Sequence, residues 1–473
     1  MANLTDGRKA FTTGGLSRRQ ILSASSMLPA GLVLPEARSV FAQTASEPFR
    51  FGLIKALTGR VASAYAPLYV PARIAVDEIN AAGGILGRKV EIVDGDDEGT
   101  PAKEPAVVRA LMEQKIDILL GPVGTSPTLT ALSVTNPAKF LQTGGSFAAE
   151  AADGKTYPYH FQFNFNNKLS GGMTVDYISA NLKDKKIGII QESFASSEAI
   201  AKTVTEGLKA NGVSIVGHEV FPNNTPDIKS YLRNLQKAGT EVLVVSTGIA
   251  ANSALVFNAL RGIGWFPSMY GYSGLMSDAL LDLLPPEALA NVFVSYLKAY
   301  TYIETEKPAE KQVAYVKKVL SYPESKGQEP NAAVSPFYDA IYVYKWAIES
   351  AKSTEADKVK AAMETLKDYP GMSGTLSLSP ENHCSLHADS MAWCELASAR
   401  DPRAMGGLSR ANSFVIRTDC AAADFSPPHS DGVLTERSRE SGYSGRAIAD
   451  NSRRTRRKMG FSGDSDSIPD VPG

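Results

Sequence analysis

The decisive stretch of this chain, residues 116–128, reads Ile-Asp-Ile-Leu-Leu-Gly-Pro-Val-Gly-Thr-Ser-Pro-Thr. Its first half is a short apolar run with β-branched residues that ends at Gly121-Pro122, which predicts a buried strand. Ser126 then stands where a helix N-cap is expected. Pro127 suits the first helical position because its φ is fixed and it has no N–H. The stretch therefore predicts a strand, a glycine-rich turn and a capped helix.

Such a junction has two interpretations. The backbone N–H groups of the first helical turn, joined by the hydroxyls of Thr125 and Ser126, can hold a carboxylate or another small polar group. The same residues also describe an ordinary capped strand–helix junction with no ligand. The local pattern leaves both open, so the rest of the chain has to be considered.

The composition is that of a globular protein with room for two domains. The chain has 473 residues, of which 43% are hydrophobic and 21% charged, and its formal net charge is -1. Because basic and acidic residues are nearly equal in number, the charge gives no sign of a basic surface for nucleic acid, and no nucleic-acid partner is expected. Past the N-terminus, no apolar run reaches the roughly 18 to 20 residues that span a bilayer.

The N-terminus has the pattern of a targeting segment. Arg18-Arg19 lie in a twin-arginine motif, an apolar stretch follows from Ile21 to Leu34, and the small residues around Val40-Phe41-Ala42 predict cleavage after Ala42. We expect residues 1–42 to be a signal peptide that exports the folded protein to the periplasm. The alternative is a disordered tail with a chance arginine pair.

From residue 48 onward the apolar periodicity alternates between strand and helix, and the alternation restarts after an aromatic-rich connection near residue 165. Strand–helix alternation that occurs twice predicts an α/β fold of two doubly wound, Rossmann-like lobes with mainly parallel sheets. The predicted strands include Phe49–Ile54, Lys89–Val93, Phe140–Thr143, Lys186–Gln191, Ser214–Val220, Glu241–Ser246 and Ser268–Tyr272. The predicted helices include Ala64–Ala82, Leu169–Leu182, Ala199–Asn211, Ala251–Leu260 and Pro336–Ala351.

The carboxyl ends of these strands are the expected ligand site, because ligands of open α/β sheets bind outside those ends. The ends are rich in serine, threonine, glycine and aromatic residues and nearly free of charge. Two lobes that face each other would enclose a cleft.

From about Asp401 the chain is rich in Ser, Arg, Gly and Asp without periodicity, which predicts a disordered tail over 401–473.

No catalytic or cofactor motif stands out. The chain lacks a phosphate-binding loop and a dinucleotide fingerprint. Gly271-Tyr272-Ser273-Gly274-Leu275 approaches a nucleophile elbow, and His383 follows it in the chain order of a hydrolase, but the second glycine comes one place early. An exported serine hydrolase is therefore the weaker alternative, and neither catalysis nor a cofactor is expected.

Two cysteines allow three interpretations. Cys384 and Cys394 could form a disulfide after export, or both could be structural thiols. Together with His383 and His387 they also form a loose set of metal ligands, but the spacing matches no standard zinc pattern. We therefore expect no metal site.

Four motifs together resemble a known family. They are Ile-Asn-Ala-Ala-Gly-Gly-Ile-Leu-Gly-Arg-Lys at 79–89, Asp96-Asp97, the Leu-Leu-Gly-Pro before Thr125-Ser126, and Ser-Pro-Glu-Asn-His at 379–383. Over about residues 48–400 the chain resembles the leucine/isoleucine/valine-binding type of periplasmic binding protein. The resemblance implies a type I fold with three crossovers, in which about 300–360 complete a first lobe (48–165) and about 365–400 complete a second (166–299). It also implies a monomer that delivers a small ligand to an ABC permease.

The resemblance implies a set of ligand-binding residues. They are Tyr65, Ser126, Gly145, Ser146, Phe147, Ser196, Gly248 and Ser273. Thr125 and Tyr272 join this set because they lie at the same strand ends. The alternative is that the serines and glycines are ordinary turn residues and that Phe147 or Tyr272 belongs to the core. Ser126 would donate its hydroxyl and N–H to a ligand carboxylate, and Tyr65 would lie against the ligand.

Two positions depart from the family pattern. Ser196 replaces an aromatic contact, and Ser273 replaces the acid that takes the ligand's ammonium. A buried ammonium without a counter-charge is costly, so a carboxylate or amide without an α-amine is expected, with an amino acid still open. A ligand-sensing receptor of the same fold is the second hypothesis. A neighbouring permease gene would favour transport, and a kinase gene would favour sensing.

Overall fold

The computed structural model describes residues 47–58, 69–275, 291–300, 310–325 and 336–396. The predicted signal peptide (1–42), the predicted tail (401–473) and Tyr65 lie outside these ranges. Across the described ranges, no helix is both long and apolar enough to cross a membrane.

The first sheet has four parallel strands in the order β2-β1-β3-β4. They are β1 (Phe49–Lys55), β2 (Val90–Asp96), β3 (Ile118–Val123) and β4 (Gln142–Gly145). The helices between them are α1 (Val70–Ala81), α2 (Glu104–Glu113) and α3 (Thr125–Thr135). All six residues of β3 are buried, as expected for a central strand covered by helices on both faces.

The second sheet contains five parallel strands, β5 (Ile187–Glu192), β6 (Ile215–Phe221), β7 (Val242–Ser246), β8 (Ser268–Tyr272) and β9 (Val292–Leu297). Its helices are α4 (Asn167–Asn181), α5 (Ala195–Ala210), α6 (Lys229–Lys237) and α7 (Ala250–Ile263). The side chain of Asn166 caps α4 by accepting the N–H groups of Lys168 and Leu169.

The rest of the described chain returns to both sheets. The elements are α8 (Glu310–Ser321), α9 (Pro336–Ala351), α10 (Ala356–Met363), β10 (Tyr369–Pro370), β11 (Thr375–Leu376) and β12 (Met391–Glu395). Helix α9 packs against α1 of the first lobe. Strand β12 pairs antiparallel with β9 and forms one edge of the second sheet. The chain therefore crosses between the lobes three times, and the predicted α/β fold with two lobes is confirmed.

The helix start after β3 was predicted wrongly. The N-cap is Gly124 rather than Ser126, α3 begins at Thr125, and Pro127 is its third residue. The preceding strand does not end at Gly121-Pro122 but continues through that cis peptide to Val123. Gly124 has φ +109, a backbone conformation that residues with a Cβ rarely adopt, so the turn takes place two residues before Ser126.

Cys384 and Cys394 are both buried thiols, so the disulfide hypothesis is wrong. Cys384 Sγ lies 3.8 Å from the Asn164 carbonyl, whereas Cys394 lies in β12 opposite Val294. Cys384 forms an isolated bridge with Gln162, whereas Cys394 is part of the second sheet. Over the described ranges, no group of His, Cys, Asp and Glu side chains is arranged to hold a metal ion.

Candidate ligand site

The N-terminus of α3 offers unused donors at the carboxyl edge of the first sheet. Thr128 N–H bonds to the Gly124 carbonyl at 3.1 Å, and Pro127 has no N–H. The N–H groups of Thr125 and Ser126 precede the first helical bond, so they have no acceptor within the helix. Ser126 is exposed, which leaves its hydroxyl and N–H at the positive end of the helix.

The loop after β4 is fixed beside α3. The Phe147 N–H donates to Thr125 Oγ1 at 3.1 Å. The buried Ser146 carbonyl accepts the side-chain amides of Asn164, at 2.7 Å, and Gln162. The polar atoms of Thr125 and Ser146 therefore hold the loop in place, while Phe147 stays half-buried at the edge.

The loop after β1 is anchored by Asp96, the last residue of β2. Its carboxylate accepts the Leu57 N–H at 2.9 Å and the Thr58 hydroxyl at 2.7 Å. Burial opposes ionisation of Asp96, but the hydrogen bonds from Thr58, Glu98 and Leu57 outweigh it and lower its pKa. Asp96 thus fixes residues 57 and 58, which follow β1.

In the second lobe, the structure brings Ser196, Gly248 and Tyr272 together. A Cβ built on Gly248 would lie 2.8 Å from Tyr272 Oη and 3.3 Å from Ser196 Oγ. Ser196 and Tyr272 are buried, while Ser273 is half-buried at the start of the short turn after β8. Helices α3 and α5 contact each other, which places these strand ends next to those of the first lobe.

Sequence reasoning missed Glu192, the last residue of β5. The predicted strand ended at Gln191, so the acidic residue after it received no role. Glu192 is fully buried and sits beside Ser197, whose hydroxyl donates to Oε1 at 2.8 Å. An acidic residue directly after an apolar strand, at the edge where ligands bind, was the available signal.

His383 belongs to the core and not to a catalytic group. Its ring stacks on Phe161 with centroids 4.2 Å apart. Its Nδ1 lies 2.9 Å from the His160 carbonyl and its Nε2 lies 3.2 Å from Glu364. Burial lowers the pKa of His383. Both ring nitrogens are thus engaged inside the protein, and neither is directed to Ser273.

The comparisons agree with this geometry. Residues 48–392 match the family model described as periplasmic binding protein. Among curated relatives, the Leu/Ile/Val-binding protein homolog 3 of Brucella melitensis biotype 1 is 25% identical over 340 residues, which cover 72% of this chain and 89% of the relative.

Solved structures share the fold at lower identity. A branched-chain amino acid transporter substrate binding protein from Streptococcus pneumoniae, in complex with isoleucine, has a TM-score of 0.62 at 22% identity and covers 78% of this chain and 100% of that one. Another match is a solute binding protein of an ABC transporter from Rhodopseudomonas palustris BisB5, in complex with 3,4-dihydroxy benzoic acid. It has a TM-score of 0.64 at 19% identity, and the match covers 78% of this chain and 97% of that one.

Proposed function

The chain belongs to the periplasmic binding protein family, and from that premise we propose that it is the substrate-binding component of an ABC importer. It binds a small amino acid, carboxylate or amide between its lobes and delivers it to the permease. The lobes that close on the ligand comprise 48–165 with about 300–360, and 166–299 with about 365–400. As a solute-binding protein, it is not an enzyme.

The observation that carries this proposal is the open N-terminus of α3. Two backbone N–H groups and the exposed Ser126 hydroxyl lie at the positive end of a helix, where a carboxylate or carbonyl oxygen is stabilised. The two ligands found in the related structures, isoleucine and 3,4-dihydroxy benzoic acid, both carry a carboxylate. Only one of them has an α-amine, so the carboxylate is the shared feature.

The ten predicted residues divide by their surroundings. Ser126 is exposed, and Phe147 and Ser273 are half-buried, so they are proposed to touch the ligand directly. Six others are proposed to support them from behind, and they are Thr125, Gly145, Ser146, Ser196, Gly248 and Tyr272. Tyr65 lies outside the described residues, and family membership alone supports its proposed contact with the ligand.

The second lobe has no carboxylate at 273, and the Glu192 oxygens already accept protein donors. We therefore keep the expectation of a ligand without an α-amine.

A thermal-shift series on refolded, ligand-stripped protein tests the ligand class. The probes are leucine, its deaminated counterpart 4-methyl-2-oxopentanoate, 3,4-dihydroxybenzoate and 3,4-dihydroxybenzamide. A ligand that binds only the folded state raises Tm. We expect a rise with the two amine-free carboxylates. Binding of leucine alone would mean that the chain holds an ammonium, and no rise with any probe would contradict the ligand class.

Family membership implies that the protein works outside the cytoplasm, in the periplasm. We propose in addition that it is exported through the twin-arginine route, is cleaved after Ala42 and acts as a monomer. Replacing Arg18 and Arg19 together by Lys should leave the precursor in the cytoplasm, because that route reads the arginine pair. Arg8→Lys with Arg38→Lys is the matched control. Equal amounts of exported protein from both variants would contradict the route.

A further inference from the structure

One carboxylate connects the N-terminal ends of two helices of the second lobe, α5 and α7. Glu192 Oε1 accepts the Ser197 hydroxyl at 2.8 Å and the backbone N–H groups of Gly248 and, at 3.2 Å, Ile249. Its Oε2 accepts the Asn252 side-chain amide at 2.6 Å. Every partner can donate, which is what an acceptor-only carboxylate requires.

The partners of Glu192 lie at the N-termini of two helices. Ser197 is in the first turn of α5, while Ile249 and Asn252 begin α7. The positive ends of both helices therefore already face a protein carboxylate. In turn, the donated hydrogen bonds stabilise the carboxylate of Glu192, and its burial keeps it out of reach of a ligand ammonium.

The same carboxylate fixes the loops at the strand ends of β7 and β8. Gly248 is bonded to it directly, and the Tyr272 hydroxyl lies 3.0 Å from the Ser197 hydroxyl. The packing there is tight, because a Cβ on Gly274 would lie 1.9 Å from the Thr247 carbonyl oxygen. A change at 192 would therefore be transmitted to the surface that faces the ligand.

We propose that Glu192 is the positioning and specificity-determining residue of the second lobe. It holds the loops around Gly248 and Tyr272, and it occupies the two helix ends that could otherwise take an anion. The site then accepts one carboxylate, at α3, and rejects a ligand with a second carboxylate at its far end. The specificity part of this inference rests on the proposed function.

The experiment compares Glu192→Gln with Glu198→Gln, which removes the same charge from an exposed position in the first turn of α5. Calorimetry measures Kd for 4-methyl-2-oxopentanoate and 2-oxoglutarate, which differ in the second carboxylate. In the wild-type protein we expect the monocarboxylate to bind at least tenfold more tightly. Glu192→Gln should reduce this ratio at least tenfold, and Glu198→Gln should leave it unchanged within twofold. An unchanged ratio in Glu192→Gln, or equal wild-type affinities, would overturn the specificity role.

Hydrogen exchange in the ligand-free full-length protein tests the positioning role independently. Amides 248–252 should exchange at least tenfold faster in Glu192→Gln and not in Glu198→Gln, and equal rates would overturn that role. If Glu192→Gln does not fold, Glu192→Asp serves as the test, because it keeps the carboxylate on a side chain that is one methylene shorter. It should weaken the binding of both acids yet preserve their ratio, and a collapsed ratio would contradict the inference. If the wild-type protein binds neither acid, the specificity role fails, while the thermal-shift series decides the ligand class and the exchange rates decide the positioning role.

Discussion

Two fully buried glutamates, one in each lobe, have opposite surroundings. Glu192 in the second lobe accepts hydrogen bonds from four groups. Glu104, the first residue of α2 in the first lobe, has no hydrogen-bond donor at either oxygen within the described residues. Burial and the neighbouring Asp97 raise the pKa of Glu104 to about 9, so it is neutral at pH 7.

The difference shows that burial alone does not assign a role to an acidic side chain. Four donors surround the carboxylate of Glu192, which lies at the positive ends of α5 and α7. In the first lobe the α3 N-terminus has no acidic residue in its first turn. We therefore propose that an anion can bind at the helix end of the first lobe, whereas Glu192 already occupies the helix ends of the second.

The largest loss of stability is expected from a substitution at Gly274, where the backbone of the second lobe is tightly packed. In Gly274→Ala the new Cβ would lie 1.9 Å from the Thr247 carbonyl oxygen and 2.7 Å from Gly248 Cα, so backbone has to move. We expect the free energy of unfolding to fall by about 3 kcal/mol and ligand binding to be lost. Urea unfolding and calorimetry measure the two effects.

Gly172→Ala is the control for this prediction. Gly172 lies in α4, and a Cβ there meets nothing within 4 Å. It should raise stability by roughly 0.5 to 1 kcal/mol, because alanine loses less conformational freedom than glycine in a helix. Equal stability of the two variants would show that the loops of the second lobe can relax.

The next effect is a loss of ligand affinity from a substitution at the N-terminus of α3. Ser126→Ala removes an exposed hydroxyl, so stability should not change, but affinity for the ligand should fall by about 1 to 3 kcal/mol, the range for a hydrogen bond to a charged group. Ser133→Ala, at an exposed position further along α3, is the matched control. If both variants bind equally well in calorimetry, the ligand carboxylate does not meet Ser126.

The last effect is the pH dependence of stability that Glu104 causes. Its pKa is raised from 4.5 to about 9 on folding, so its contribution to stability is complete below pH 4.5 and is lost as pH rises towards 9. The free energy of unfolding should therefore fall by on the order of 1 kcal/mol per pH unit between pH 6 and 8. Glu104→Gln should remove this slope and the exposed Glu113→Gln should retain it. Urea titrations at pH 6 and pH 8 measure the free energy of unfolding. If it still falls with pH in Glu104→Gln, another group causes the pH dependence.

Local patterns predicted much of the fold. The apolar periodicity predicted β8 and α9 with the bounds that the structure has, Ser268–Tyr272 and Pro336–Ala351. The pairing of β12 with β9 was missed, because a strand at 391–395 is defined by a partner almost a hundred residues earlier. The start of α5 at Ala195 lies four residues before the predicted Ala199, and the periodicity did not reveal that Ser197 in its first turn donates to Glu192 at the end of β5.

The sequence by itself determined the two α/β lobes, the family and the strand ends at which a ligand is expected, since alternating hydrophobicity and short motifs are local properties. Only the tertiary structure decided which polar groups remain available there. Thr125, Ser146 and Tyr272 use their polar atoms within the protein, while Ser126 stays exposed. The role of Glu192 likewise depends on donors from residues 197 to 252, and a hydrogen-bonding partner that far along the chain is fixed only when the loops have packed.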